Sequence, residues 1–180
     1  MGNVDYFGTE KISKLIIKFS IPCILSLLLT SLYNIVDQIF IGTSYIGVNG
    51  NAATGVVFPF TVLVLAFAQF FGDGAAANLT TQLGKGNKTN TDKIVGNALL
   101  SSLIVGIILM IVYYSAGDAL LIAIGAQHKV LELAHTYAFI IYAMVPVYCL
   151  EFSLVSIVRA DGSPRYALIA MLAGAIFNIA

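Results

Sequence analysis

The sequence predicts an all-α, polytopic transmembrane helix bundle. Three observations predict it. The chain is 59% hydrophobic and only 10% charged, whereas ordinary soluble domains carry about 25% charged residues. Its uncharged runs reach membrane length, the cleanest being the 24 residues from Ile94 to Gly117. About 20 apolar residues suffice to cross the hydrocarbon as a helix. Its basic residues also sort onto alternate loops. Lys11, Lys14 and Lys18 lie ahead of the first span or in its first turn, Lys85, Lys88 and Lys93 lie between the second and third, and Arg159 and Arg165 lie between the fourth and fifth. Only Lys129 falls in the opposite set. By the positive-inside rule, the N-terminus and the eight-cation side are cytoplasmic. The formal net charge is zero, which gives no reason to expect a nucleic-acid partner.

Span 1 covers 15–41. Its apolar run is too long for a signal-peptide core and no small-residue cleavage pattern follows, so it reads as a retained anchor. Asp37 interrupts it, with 18 uncharged residues before (Phe19 to Val36) and 35 after, up to Asp73. A carboxylate inside a spanning helix costs about 2.5 kcal/mol or more and rarely persists without a purpose. Ser26, Thr30, Tyr33, Asn34 and Asp37 are spaced by three or four. At 100° per residue they fall within an arc of about 100°, a polar stripe that should face protein or a watery cavity. Burial makes such a carboxylate responsive to its surroundings, hence a candidate proton or cation site. The alternative is a structural carboxylate bonded to Asn34 or a neighbouring helix. Pro22 removes one backbone hydrogen bond and allows the helix to bend.

Span 2 covers 51–82 and contains Pro59. After a strongly apolar first part it passes through Gly72-Asp73-Gly74 into small and polar residues, Ala75 to Gln82. Asp73 between two glycines reads as a local helix break or an inner-end cap. Span 3, 94–116, is the cleanest. Span 4, 131–157, begins with His135 and Tyr137 on the external side, contains Pro146, and carries Glu151 near its inner end. Glu151 reads as an interfacial group that snorkels or pairs with a cytoplasmic basic residue. Span 5 begins at 166. The 15 residues after Arg165 extend about 22 Å at 1.5 Å per residue, short of a core of about 30 Å. Residues 1–180 are therefore expected to be a fragment of a longer polytopic protein, or a shortened form of one.

Other chemistry is absent from the pattern. Cys23 and Cys149 sit in apolar runs without metal-ligand spacing and read as small apolar residues. Asn78-Leu-Thr and Asn87-Lys-Thr match a glycosylation pattern but fall in embedded or cytoplasmic positions. An intramembrane aspartyl protease needs Gly-x-Gly-Asp, which Phe71-Gly72-Asp73-Gly74 does not supply. There is no His-Glu-x-x-His and no Gly-x-Ser-x-Gly. An enzyme is not expected, nor is any cofactor.

Several segments carry a resemblance. Thr9-Glu10-Lys11-Ile12 leading to Phe19-Ser20-Ile21-Pro22, then Tyr33-Asn34-Ile35-Val36-Asp37 and Ile41-Gly42, resemble the first helix of multidrug and toxic compound extrusion (MATE) transporters. Gly50-Asn51-Ala52-Ala53 and Leu83-Gly84-Lys85-Gly86-Asn87 are similar to that family's second helix and first inner loop. The segment Arg159 to Arg165 resembles the loop before helix 5, and Asn178-Ile179-Ala180 the start of an Asn-x-x-x-Asp stretch. The match runs nearly end to end and looks closest to the bacterial multidrug-exporter branch.

The resemblance implies twelve helices in two six-helix lobes, of which this chain is most of the N-terminal one, its partner being the missing C-terminal lobe. It implies a cation-coupling network at Asp37, Asn178 and Tyr137, with Tyr137 placed by spacing, and a coupling ion that is H+ or Na+. The only metal site implied is Na+ at Asp37 and Asn178. It assigns helix bending to Pro22. Substrates would be small amphipathic, often cationic drugs, held by aromatic walls that include Tyr33 and Tyr137. The expected function is cation-coupled multidrug efflux by antiport. The alternatives are a lipid-linked saccharide flippase of similar architecture, against which stands the lack of Arg or Lys in the spans beyond Lys18 at the entry of the first, and a non-transporting membrane scaffold fragment.

Overall fold

The computed structural model describes residues 10–86 and 88–179, with side-chain surroundings given for all of these but 88, 89, 178 and 179. Among the described residues the chain forms five α-helices and no strand. They are α1 (Ile12–Thr43), α2 (Gly47–Gly84), α3 (Lys88–Ile124), α4 (His128–Ala160) and α5 (Pro164–Ile179). Each predicted span lies inside one of them. The helices run past the apolar segments into turns of only a few residues, because a backbone near a bilayer does best by satisfying its own polar groups. Four are long and apolar enough to cross a membrane, and α5 is shorter.

Local chemistry sets the ends. Glu10 takes a hydrogen bond from Lys14 Nζ at 2.7 Å ahead of α1, which holds its carboxyl below the usual carboxylate range. Gly125 closes α3 at φ +107° and Gly162 follows α4 at φ +82°, a region that glycine enters without the Cβ clash. Pro164 opens α5, where a missing N–H costs nothing.

Three helices build the core. Ala53, Val57, Phe60, Val64 and Ala68 of α2, with Leu109, Tyr113 and Leu121 of α3 and Ala134, Ala138, Tyr142, Val145 and Cys149 of α4, form one buried cluster. A smaller cluster near the other end joins Ala75, Leu79, Ala98 and Ile157. The repeats of three and four place these residues on one face of each helix. Lipid tails are as apolar as leucine, so packing and hydrogen bonds rather than hydrophobicity must hold such helices together. Small residues provide the close approach. A Cβ placed on Gly106 of α3 would lie 2.7 Å from Pro146 Cα of α4, and one on Gly72 of α2 would lie 2.9 Å from Ser153 Cα. A hydrogen-bond chain crosses the same three helices: Ser102 and Ser153 Oγ are 2.6 Å apart, and Ser153 donates to Ala68 O at 3.3 Å. Ser153 has one proton and gives it to Ala68, so Ser102 is the donor to Ser153. Both serines are fully buried.

This packing corrects the reading of Gly72-Asp73-Gly74. The α-helix continues through these residues without a break or a cap. Gly72 is there for contact with α4, and Asp73 Oδ1 accepts a hydrogen bond from Ser156 of α4 at 2.7 Å.

Helix α1 stands apart from this core. It packs mainly on α5 and less on α2. Only Pro22 and Ser26 are buried on it, while Ile16, Ile24, Leu28, Ile35 and Ile39 are exposed. An apolar surface of that extent suits lipid or further protein, not water.

Candidate functional site

The upper part of the polar stripe of α1, Tyr33 and Asp37, lies within electrostatic reach of Glu151 and Tyr137 of α4. At its lower end the stripe serves the backbone. Ser26 Oγ donates to Pro22 O at 2.8 Å, and Thr30 Oγ1 donates to Ser26 O at 3.0 Å. Such i−4 bonds relieve the loss of polar partners in a helix and tend to bend it. Pro22 sits at this point, and the helix passes through it unbroken.

Above this the stripe opens. Tyr33 and Asp37 are half-buried and Asn34 is exposed. No described residue hydrogen-bonds the Asp37 carboxylate; Asn34 in particular does not. Asp37 lies within electrostatic reach of the Tyr137 hydroxyl on α4 and of Tyr33 one turn below it. Tyr137 is 38% exposed, so its ring borders an open cleft rather than the packed core. Asn178 falls in the last turn of α5, and its side chain lies outside the described residues. The structure therefore brings Asp37, Tyr33 and Tyr137 together; the predicted role of Asn178 lies outside the described side chains.

The cleft holds more than the sequence singled out. Glu151 does not form an ion pair among the described residues. Arg159 is within electrostatic reach of it, but its guanidinium donates to Met171 Sδ of α5 at 3.3 Å. Glu151 and Tyr33 both lie within reach of Tyr148, whose ring stands 4.6 Å from that of Phe152. One side of the cleft is thus aromatic, with a carboxylate towards each end. The i+3 and i+4 offsets from Glu151 back to Tyr148 and from Tyr148 on to Phe152 carry the signal for this face, but only the approach of α1 shows that it meets Tyr33. At the outer end, Gln38 of α1 and Thr54 of α2 join across the helix pair at 3.4 Å.

His135 pairs with Asp118 of α3, Nε2 to Oδ1 at 3.5 Å. It lies away from the α1 stripe. Among the described residues no group of three His, Cys, Asp or Glu side chains assembles that would hold a metal ion, and Cys23 and Cys149 are free.

Comparison with known proteins places this geometry. The MatE family profile matches residues 22–180. The multidrug export protein MepA of Staphylococcus saprophyticus is 25% identical over 175 residues, covering 97% of this chain and 38% of that protein. Among solved structures, the MATE multidrug transporter DinF-BH superposes with a TM-score of 0.88 at 28% identity, over 94% of this chain and 38% of that one. A MOP superfamily transporter from Pyrococcus furiosus superposes with a TM-score of 0.83 at 29% identity, over 89% of this chain and 35% of that one. The chain spans just over a third of the length of these relatives. A profile match over most of the chain, with an all-helical bundle of membrane-length spans, makes this a multi-pass membrane protein that belongs to the MatE family of transporters.

Proposed function

We propose that this chain is the N-terminal lobe of a cation-coupled multidrug efflux antiporter, with Asp37 as the coupling carboxylate. The observation that carries the reading is the open Asp37 carboxylate facing Tyr137 across the α1–α4 cleft, without a hydrogen bond from any described residue. Even a half-buried carboxylate in a membrane-spanning helix would be expected to be paired or hydrogen-bonded if it served only structure. An unpaired one is suited to take up a proton or Na+ and release it. Tyr137 and Tyr33 would supply hydroxyl oxygens beside it, and Asn178 would complete the set from α5. Binding changes the transporter only through a difference in ion affinity between the outward-open and inward-open states. The aromatic face at Tyr33, Tyr148 and Phe152 would carry an amphipathic, often cationic drug. A second lobe would close the other side of the cleft, and the sorting of basic residues onto alternate loops supports a cytoplasmic N-terminus, in the plasma (inner) membrane of a bacterium.

The test is drug efflux from vesicles that contain the whole transporter carrying this chain, under an imposed proton or sodium gradient. Asp37→Asn keeps size and most hydrogen bonding but removes titration. It should abolish coupled efflux and leave folding intact. Asp73→Asn should be mild, because the substituted carbonyl still accepts the Ser156 hydrogen bond. Transport by Asp37→Asn at the parent's rate would reduce Asp37 to a structural role. Loss on Asp73→Asn alone would mean the other carboxylate couples.

A further inference from the structure

A second cavity lies outside the α1–α4 cleft. It is a half-open pocket between the end of α3 and the beginning of α4, at the end of the bundle opposite the start of α1. Its volume is about 310 Å³, and its lining includes Tyr113, Tyr114, Gly117, Asp118, His135 and Tyr142. Ligand pockets start at about this size.

Its walls are aromatic. Tyr113 and Tyr142 stand 4.7 Å apart between ring centroids, and Tyr114 meets Tyr142 edge-on at 6.0 Å. Two of these hydroxyls are occupied. Tyr113 donates to Phe60 O at 3.0 Å, and Tyr114 donates to Phe139 O at 2.7 Å. The third is not. Tyr142 is only 4% exposed, yet its Oη has no hydrogen-bond partner among the described residues. Buried hydroxyls are nearly always bonded, and leaving one unpaired costs about 1–3 kcal/mol. The hydroxyl sits beside Gly117, where a Cβ would come within 3.8 Å of it. The same Cβ would lie 3.1 Å from Tyr142 Cε2, so glycine lets α3 pass close to the ring and a larger side chain there would crowd the hydroxyl's side of it. Asp118 follows at the cavity mouth, close enough for its charge to be felt at Tyr142.

We infer that this cavity is a binding site for a small primary organic ammonium, reached from the end of the bundle that carries the α3–α4 turn. The ammonium would donate one hydrogen bond to Tyr142 Oη and one to the Asp118 carboxylate, while the tyrosine rings present their negative faces to the charge. Cations are attracted to such rings within about 6 Å, and more strongly where water is excluded. An anion would meet the Asp118 charge. Asp118 Oδ1 already faces His135 Nε2 at 3.5 Å, so the ammonium would take the carboxylate's other oxygen. The site is separate from the proposed coupling site, because none of its lining residues belongs to α1 or α5.

The experiment is calorimetric titration of benzylammonium into the whole transporter carrying this chain, held in lipid nanodiscs, with benzyl alcohol as the neutral match. Benzylammonium should bind saturably. Benzyl alcohol and the Asp118→Asn variant should each weaken binding about tenfold or more, as for a lost charge-assisted hydrogen bond. Tyr142→Phe preserves the buried ring and should weaken binding several-fold without lowering the unfolding midpoint. Gly117→Val crowds the hydroxyl's side of the ring and should abolish binding. Absence of saturable binding, equal affinity for benzyl alcohol, or an unchanged affinity in Tyr142→Phe would overturn the inference. So would loss of binding in Asp37→Asn with retention in Asp118→Asn, because the ammonium would then sit in the α1–α4 cleft.

Discussion

Gly72 and Gly74 lie two residues apart on α2, and alanine should have opposite effects at the two positions. At Gly72 a Cβ would lie 2.9 Å from Ser153 Cα and 3.3 Å from Ser156 Cβ, against ordinary contacts of 3.4–4 Å. The shortfall against the backbone atom is about 0.5–1.1 Å, and a backbone cannot rotate away as a long side chain can. Helices α2 and α4 would have to part by a similar distance. Ser153 donates to Ala68 O at 3.3 Å already, so that separation would carry it beyond hydrogen-bond range. Overpacking of a tight contact costs about 1–3 kcal/mol. At Gly74 nothing lies within 4 Å, and alanine should gain up to about 1 kcal/mol of helix propensity. The two variants should therefore differ by about 2 kcal/mol, roughly 30-fold in the folding equilibrium. Reversible unfolding in mixed micelles with increasing SDS, followed by circular dichroism, measures the difference. Equal stability of the two variants would refute the close α2–α4 approach. So would a Gly72→Ala variant more stable than the parent.

Three further outcomes are expected. Ser153→Ala removes both links of the buried serine chain and strands the Ser102 hydroxyl, and should cost about 1–3 kcal/mol in the same unfolding assay. The Ser102→Ala, Ser153→Ala double variant should cost less than the two singles added, since the stranded hydroxyl is then gone. Single cysteines at Asn49 and Asn90, both exposed, should label from opposite sides of intact cells, Asn49 with an impermeant reagent and Asn90 only after permeabilisation; outside labelling of both would reverse the orientation.

Much of this protein was legible in one dimension. Membrane-length uncharged runs determine where helices must form, because an unsatisfied backbone is too costly in hydrocarbon. The spacing of Ser26, Thr30, Tyr33 and Asp37 determines that they share a face, because helical geometry is local. The family follows from ordered short segments in α1, α2 and the α4–α5 turn. What was not legible depends on which helix faces which. Gly72-Asp73-Gly74 has the composition of a break, and only the presence of Ser153 and Ser156 opposite turns it into a contact. Ser102 and Ser153 are 51 residues apart, and nothing in either segment announces the other. Tyr142 is an unremarked residue of an apolar span until α3 brings Gly117 and Asp118 before its hydroxyl. Secondary structure and stripe direction are set by neighbours three or four residues away. Packing partners and cavities are set by residues that meet only after the helices cross, and only the tertiary structure decides those.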